Sequence, residues 1–134
     1  MLGEMIGEDK GKITTYRVVG TRGGANQVEV SMKAAGKILG VEFTELVTYV
    51  SVMKPGGWMY GEGRGLFMTK DGETISWVGQ GTGRFKSGGG MSWRGTVYFE
   101  TASQKHARLN GMCSLFEHES DANDNTSSKY WEWK

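Results

Sequence analysis

The sequence predicts an all-β chain: eight antiparallel strands joined by short turns and closed into an up-and-down barrel, with a two-sheet β-sandwich as the alternative. Three observations predict it. Runs of 8 to 14 residues alternate apolar and polar side chains with period two, the pattern of half-buried strands. Asp71-Gly72 sits between two such runs, one of the strongest short-range hairpin signals. The 134 residues include 22 Gly and a single Pro. That combination suits a sheet that bends sharply while keeping its ladder donors. Strands this long, with internal glycines, favour closure, because closure removes exposed edges.

In chain order, residues 1–11 are open between a first strand and a loose lead-in. Residues 12–19 (KITTYRVV) read as strand, and 20–26 (GTRGGAN) as a turn cluster. In 27–39 (QVEVSMKAAGKIL), Val28, Val30, Met32, Ala34, Gly36 and Ile38 share one face, opposite Gln27, Glu29, Ser31, Lys33 and Lys37. Gly40 turns the chain into 41–54 (VEFTELVTYVSVMK), rich in β-branched and aromatic residues. Pro55-Gly56-Gly57 makes the next turn. The central hairpin follows over 57–85, then a turn at 87–90 (SGGG). Strands over 91–103 and 108–119, a polar loop over 120–128 and a short closing strand (KYWEWK) complete the chain.

The central hairpin carries the candidate site. A two-residue type I′ turn at Asp71-Gly72 sets Lys70 against Glu73, Met68 against Ile75, Leu66 against Trp77, and Arg64 against Gly79. It sets Glu62 against Gly81, Tyr60 against Gly83 and Trp58 against Phe85. Tyr60, Glu62 and Arg64 then stand opposite three glycines on one face, between apolar ends. With that face inward, Trp58, Trp77 and Phe85 are the walls of a ligand pocket. Tyr60, Glu62 and Arg64 are its polar contacts, and Arg94 is a further candidate from the next strand. The competing reading is a structural ion pair in a filled core, since two interior charges cost several kcal/mol each unless paired.

Composition narrows the function. The length fits one barrel domain over 1–134. A net charge of +1 and mean hydropathy of -0.46 speak for a soluble protein, and against a dedicated nucleic-acid or anionic-membrane binder. The lone Cys113 forms no internal disulfide and lacks an adjacent base. With no leader and no long apolar run, the expectation is a cytoplasmic protein. No cofactor or metal is expected. His118 lies between Glu117 and Glu119, which point to the opposite strand face, and His106 sits in a turn. Asp121, Asn123, Asn125 and Glu132 match calcium-loop spacing, but Thr126 stands where Gly is needed and no helices flank the loop. The Gly-x-Gly runs at 61–65 and 79–83 lie inside strands, so they are not dinucleotide fingerprints.

GEGRG at 61–65, FMTKDGE at 67–73, SWRGTVYFETAS at 92–103, LNGMCSLFEHESDANDN at 109–125 and the terminal WEWK together resemble a family of small bacterial proteins of unknown function. That family is similar to allene oxide cyclase in fold, and the resemblance implies an eight-stranded antiparallel barrel. It implies no activity. Allene oxide cyclase and dirigent proteins use such a barrel to hold a hydrophobic molecule and steer its cyclisation or coupling, an analogy at the level of fold.

Three functional classes follow. The first is a barrel binding a small, largely apolar molecule. The second is an isomerase or cyclase using Glu62 as acid or base and Arg64 to stabilise negative charge. The third is a filled barrel serving as a structural module or homo-oligomer, suggested by Phe67, Val78 and Phe99 on both strand faces. Single-stranded nucleic acid on Arg64, Arg84, Lys86 and Arg94 is a distant fourth.

Overall fold

The computed structural model describes residues 2–134 and is a closed antiparallel barrel with strand order β1-β2-β3-β4-β5-β6-β7-β8. The strands are β1 (Leu2–Arg22), β2 (Ala25–Ile38), β3 (Val41–Lys54), β4 (Trp58–Thr69), β5 (Thr74–Phe85), β6 (Met91–Glu100), β7 (Ser114–Ser120) and β8 (Asn125–Trp133). A 3₁₀ turn, Ala107–Leu109, interrupts the β6–β7 connection. The ring closes where β1 pairs with β8, from Leu2↔Trp133 to Lys12↔Asn125. The opening residues are therefore strand, because β8 needs a partner that only this segment supplies. For the same reason β8 starts at Asn125, and the polar loop shrinks to 121–124. β7 in turn starts at Ser114 rather than 108. Bulges between Ile13 and Thr15 and between Val18 and Gly20 bend β1, and interrupt the alternation read over 12–19.

The turns explain both the closure and one misreading. Gly23-Gly24 and Leu39-Gly40 have positive φ at both positions and make two-residue loops between paired strands. At Asp71-Gly72 only Gly72 has positive φ, at 86°. The loop there has three residues: Thr69 N–H donates to Glu73 O (2.9 Å), and Gly72 N–H donates to Thr69 O (3.0 Å). This is a type I turn followed by a left-handed glycine, the usual three-residue hairpin. Side chains hold it. The Thr69 hydroxyl donates to Asp71 and accepts the Glu73 N–H, while Lys105 Nζ stands 2.8 Å from Asp71 Oδ2.

One extra loop residue slips the register by one. Arg64 lies opposite Val78, Glu62 opposite Gln80 and Tyr60 opposite Thr82, while Gly63 faces Gly79 and Gly61 faces Gly81. A slip of one exchanges the two faces of a strand. Met59, Gly61, Gly63, Gly65 and Phe67 therefore point inward, and Trp58, Tyr60, Glu62, Arg64 and Leu66 point outward. The face expected on β2 is the inner one, with Val30, Met32, Ala34 and Ile38 buried.

One end of the barrel is packed solid. Phe43 stacks on Phe67 at 4.0 Å between ring centres, with Phe99 and Tyr130 tilted around them. Leu109 and Met112 from the β6–β7 connection fill the end like a plug, against Ile6, Ile38 and Ile75. Phe67 and Phe99 thus belong to the core, not to an exposed face; Val78, 59% exposed, does lie outside.

Candidate functional site

The site sits inside the barrel, between the plugged end and the smaller cluster of Ile13, Val30, Met32, Ala34 and Val47. One wall is made of backbone. Inner-face glycines of β4 and β5 stand where side chains would otherwise fill the space, and the large aromatic side chains lie against them. A Cβ on Gly65 would fall 2.2 Å from Trp77 Nε1. On Gly61 it would fall 2.8 Å from the Trp93 ring, and Trp93 also covers Gly83 at 2.8 Å. These glycines admit the indoles. Beside the indoles a cavity of about 70 Å³ remains open to the centres of water molecules. One water needs roughly 10–15 Å³ by this measure, so the cavity has room for several waters. Trp77, Trp93, Tyr49, Phe116 and Val47 line it, with Glu45, His118, Ser128 and Tyr130 as its polar members.

Those polar members form a hydrogen-bonded chain across the interior. Tyr130 O–H donates to Asp9 Oδ2 (2.7 Å), and Trp77 Nε1–H donates to Glu45 Oε2 (2.7 Å). Asp9 and Glu45 are 3% and 2% exposed and hydrogen-bond each other. Their remaining oxygens, Asp9 Oδ1 and Glu45 Oε1, have no other partner. Two carboxylates in contact inside a barrel cannot both ionise, so the pair holds one shared proton. Burial, then the adjacent Asp9 charge, pushes the Glu45 carboxyl well above its ordinary range. Burial also raises Asp9, offset by hydrogen bonds from Tyr130, Glu45 and Ser128. Burial and the same two acids raise the Tyr130 phenol. Ser128 extends the chain to His118, whose Nδ1 lies 2.7 Å from the Ser128 hydroxyl. Burial lowers His118 to about 4, so the ring is neutral near pH 7.

Of the expected pocket residues, only Trp77 has its side chain in the interior. Tyr60, Glu62 and Arg64 lie on the outer face by the register slip. There the Tyr60 hydroxyl is 2.8 Å from Glu62 Oε1 and 2.7 Å from Gln80 Oε1. Glu62 and Gln80 border the cavity only as members of the glycine wall. Trp58 shares their outer face, opposite Lys54. Phe85 has inner parity but sits at the rim, 60% exposed. Arg94 is outward, with Nη1 2.8 Å from Glu119 Oε2 and Nε 3.6 Å from Glu117 Oε2. Asp9 and Glu45 were missed. Glu45 had left a signal: it shares a face with Phe43, Val47 and Tyr49, a carboxylate on an apolar stripe. Asp9 had none, because its strand is recognisable only through its partner β8.

The remaining titratable residues have local roles. His106, 2% exposed, lies 3.3 Å from Asp71 Oδ2 and ties the plug to the β4–β5 turn. Lys105 and Thr69 hold the Asp71 carboxyl below the usual carboxylate range. Asp121 accepts the N–H groups of Asn123 and Asn125, which is turn chemistry. Among the described residues, no three His, Cys, Asp or Glu side chains form a metal-binding group, and no helix is long and apolar enough to cross a membrane.

The fold and site define a small antiparallel barrel with a partly filled, polar-threaded interior. Solved structures share that fold along their whole length. A conserved protein of unknown function from Rhodopseudomonas palustris has a TM-score of 0.83 at 13% identity, covering 99% of each chain. A protein of unknown function from Clostridium acetobutylicum has 0.83 at 12%, covering 98% of each. A β-barrel-like protein from Acinetobacter baumannii has 0.84 at 14%, covering 100% of this chain and 96% of its own. At such identities the likeness shows the fold alone. No protein-family model matches the chain, and no curated protein matches it.

Proposed function

We propose that this barrel binds a small, largely apolar molecule in its interior, beside Trp77 and Trp93. The observation that carries this is the cavity itself: about 70 Å³ of space with aromatic walls, reached by a buried carboxyl pair and a neutral histidine. Interiors normally pack without voids larger than a water, so a space of this size with convergent polar groups marks a ligand site. The analogy with allene oxide cyclase and dirigent proteins points the same way, and a soluble cytoplasmic role suits the even charge balance. Native mass spectrometry of the protein as purified tests the reading, with Val47→Phe as a cavity-filling control. A bound mass in the wild type that the variant lacks supports it. Bare masses for both, with no rise in Tm on adding toluene, overturn it.

An isomerase or cyclase is the second reading, and one observation favours it. The Asp9–Glu45 pair keeps a proton in a dry interior, the arrangement of a general acid. The acid–base role expected of Glu62 would pass to this pair.

A further inference from the structure

The interior chain of hydrogen bonds ends at one open nitrogen, and that nitrogen selects a ligand. Of the buried polar atoms without a protein partner, Glu45 Oε1 and His118 Nε2 belong to residues lining the cavity. Glu45 is drawn into the acid pair with Asp9. His118 Nε2 is the unpartnered atom outside that pair that the cavity offers a guest, and its residue is only 8% exposed.

His118 is neutral near pH 7, and the Ser128 hydroxyl takes up its Nδ1 at 2.7 Å. A neutral imidazole carries one N–H and one lone pair. A hydroxyl both donates and accepts, so a hydroxyl-bearing guest pairs with Nε2 in either tautomer. Charge adds a second constraint. The Asp9–Glu45 pair with one proton keeps one buried negative charge near the same cavity, and an anionic guest would meet it in a low dielectric. Walls of Trp77, Trp93, Tyr49 and Phe116 favour an aromatic guest, through stacked or edge-on contacts.

We propose that the interior selects a small, neutral, hydroxyl-bearing aromatic, a phenol in the chemical sense, whose hydroxyl hydrogen-bonds to His118 Nε2 while its ring packs between Trp77 and Trp93. This rests on the binding reading above and names its ligand class.

Calorimetric or NMR titration at pH 7 with phenol, toluene and benzoate tests it, in the wild type and in His118→Phe. The phenol-to-toluene affinity ratio is expected to fall about tenfold in the variant, the effect of one buried hydrogen bond. Benzoate is expected to bind at least about tenfold more weakly than phenol, because its charge meets the acid pair. A ratio unchanged by His118→Phe while toluene still binds overturns the hydrogen bond to His118 and leaves the cavity reading standing. Benzoate binding as tightly as phenol overturns the selection for neutral guests. Failure of both phenol and toluene to bind the wild type overturns the cavity reading and this inference with it.

Discussion

Replacing Gly65 by alanine tests whether the glycine wall exists to seat the indoles. The new Cβ would lie 2.2 Å from Trp77 Nε1, 2.3 Å from Cε2 and 2.6 Å from Cζ2. Ordinary contact is about 3.5–4.0 Å, so the indole must retreat by roughly 1 Å or more. The retreat breaks the 2.7 Å bond from Trp77 Nε1–H to Glu45 Oε2, a carboxyl that is itself buried. Overpacking costs about 1–3 kcal/mol. An unsatisfied buried acceptor costs about 1–3 kcal/mol more. Gly65→Ala should therefore lose about 2–6 kcal/mol. With ~2.1 cal/mol/K per residue over 134 residues, that lowers Tm by about 7–21 °C. Urea unfolding followed by circular dichroism reads the change. Gly20→Ala is the control, because its Cβ would meet only Gln27 Oε1 at 3.4 Å with no positive φ; it should stay within about 1 kcal/mol of the wild type. In Trp77→Phe the smaller ring leaves room, so adding Gly65→Ala should cost little there, a coupling above about 1 kcal/mol. Gly65→Ala within 0.5 kcal/mol of the wild type by ~two-state analysis, or a coupling near zero, would refute the reasoning.

The remaining predictions concern the interior charges and the outer face. Glu45 is raised in the folded state, so the fold binds the extra proton; stability should fall as pH rises above the ordinary carboxyl value of 4.5. Glu45→Gln imitates the protonated acid and should flatten that limb, measured as urea midpoints across pH. His118 acts in the opposite direction. Lowered from 6.5 to about 4, it contributes stability above pH 6.5 that is lost between 6.5 and 4, up to about 3 kcal/mol, and this limb should vanish in His118→Phe. On the outer face, Glu62→Ala and Arg64→Ala should each move stability by less than about 1 kcal/mol and leave toluene binding unchanged; loss of binding in either would restore the inward register.

The barrel was legible in the sequence because its causes are local and repeated. Alternation over 27–39 and 41–54 places Val30, Met32, Phe43 and Val47 on core faces whatever their partners, and closely spaced glycine turns leave only neighbouring strands to pair. Central parts of the candidate site were not legible, for two physical reasons. The first is register. One extra residue in the Lys70–Gly72 loop, held by Thr69, Asp71 and Lys105, exchanges the two faces of β4 while β5 keeps its own, and Lys105 reaches that turn from far along the chain. The second is closure. Asp9 on β1 meets Glu45 from β3 and Tyr130 from β8 only because the ring closes between β1 and β8. A closed sheet with an apolar interior follows from local causes, since side-chain alternation and turn chemistry act over a few residues. Which polar groups enter that interior depends on the closed ring, because the carboxyls, phenol and imidazole that share it lie far apart in the chain and meet only across the barrel.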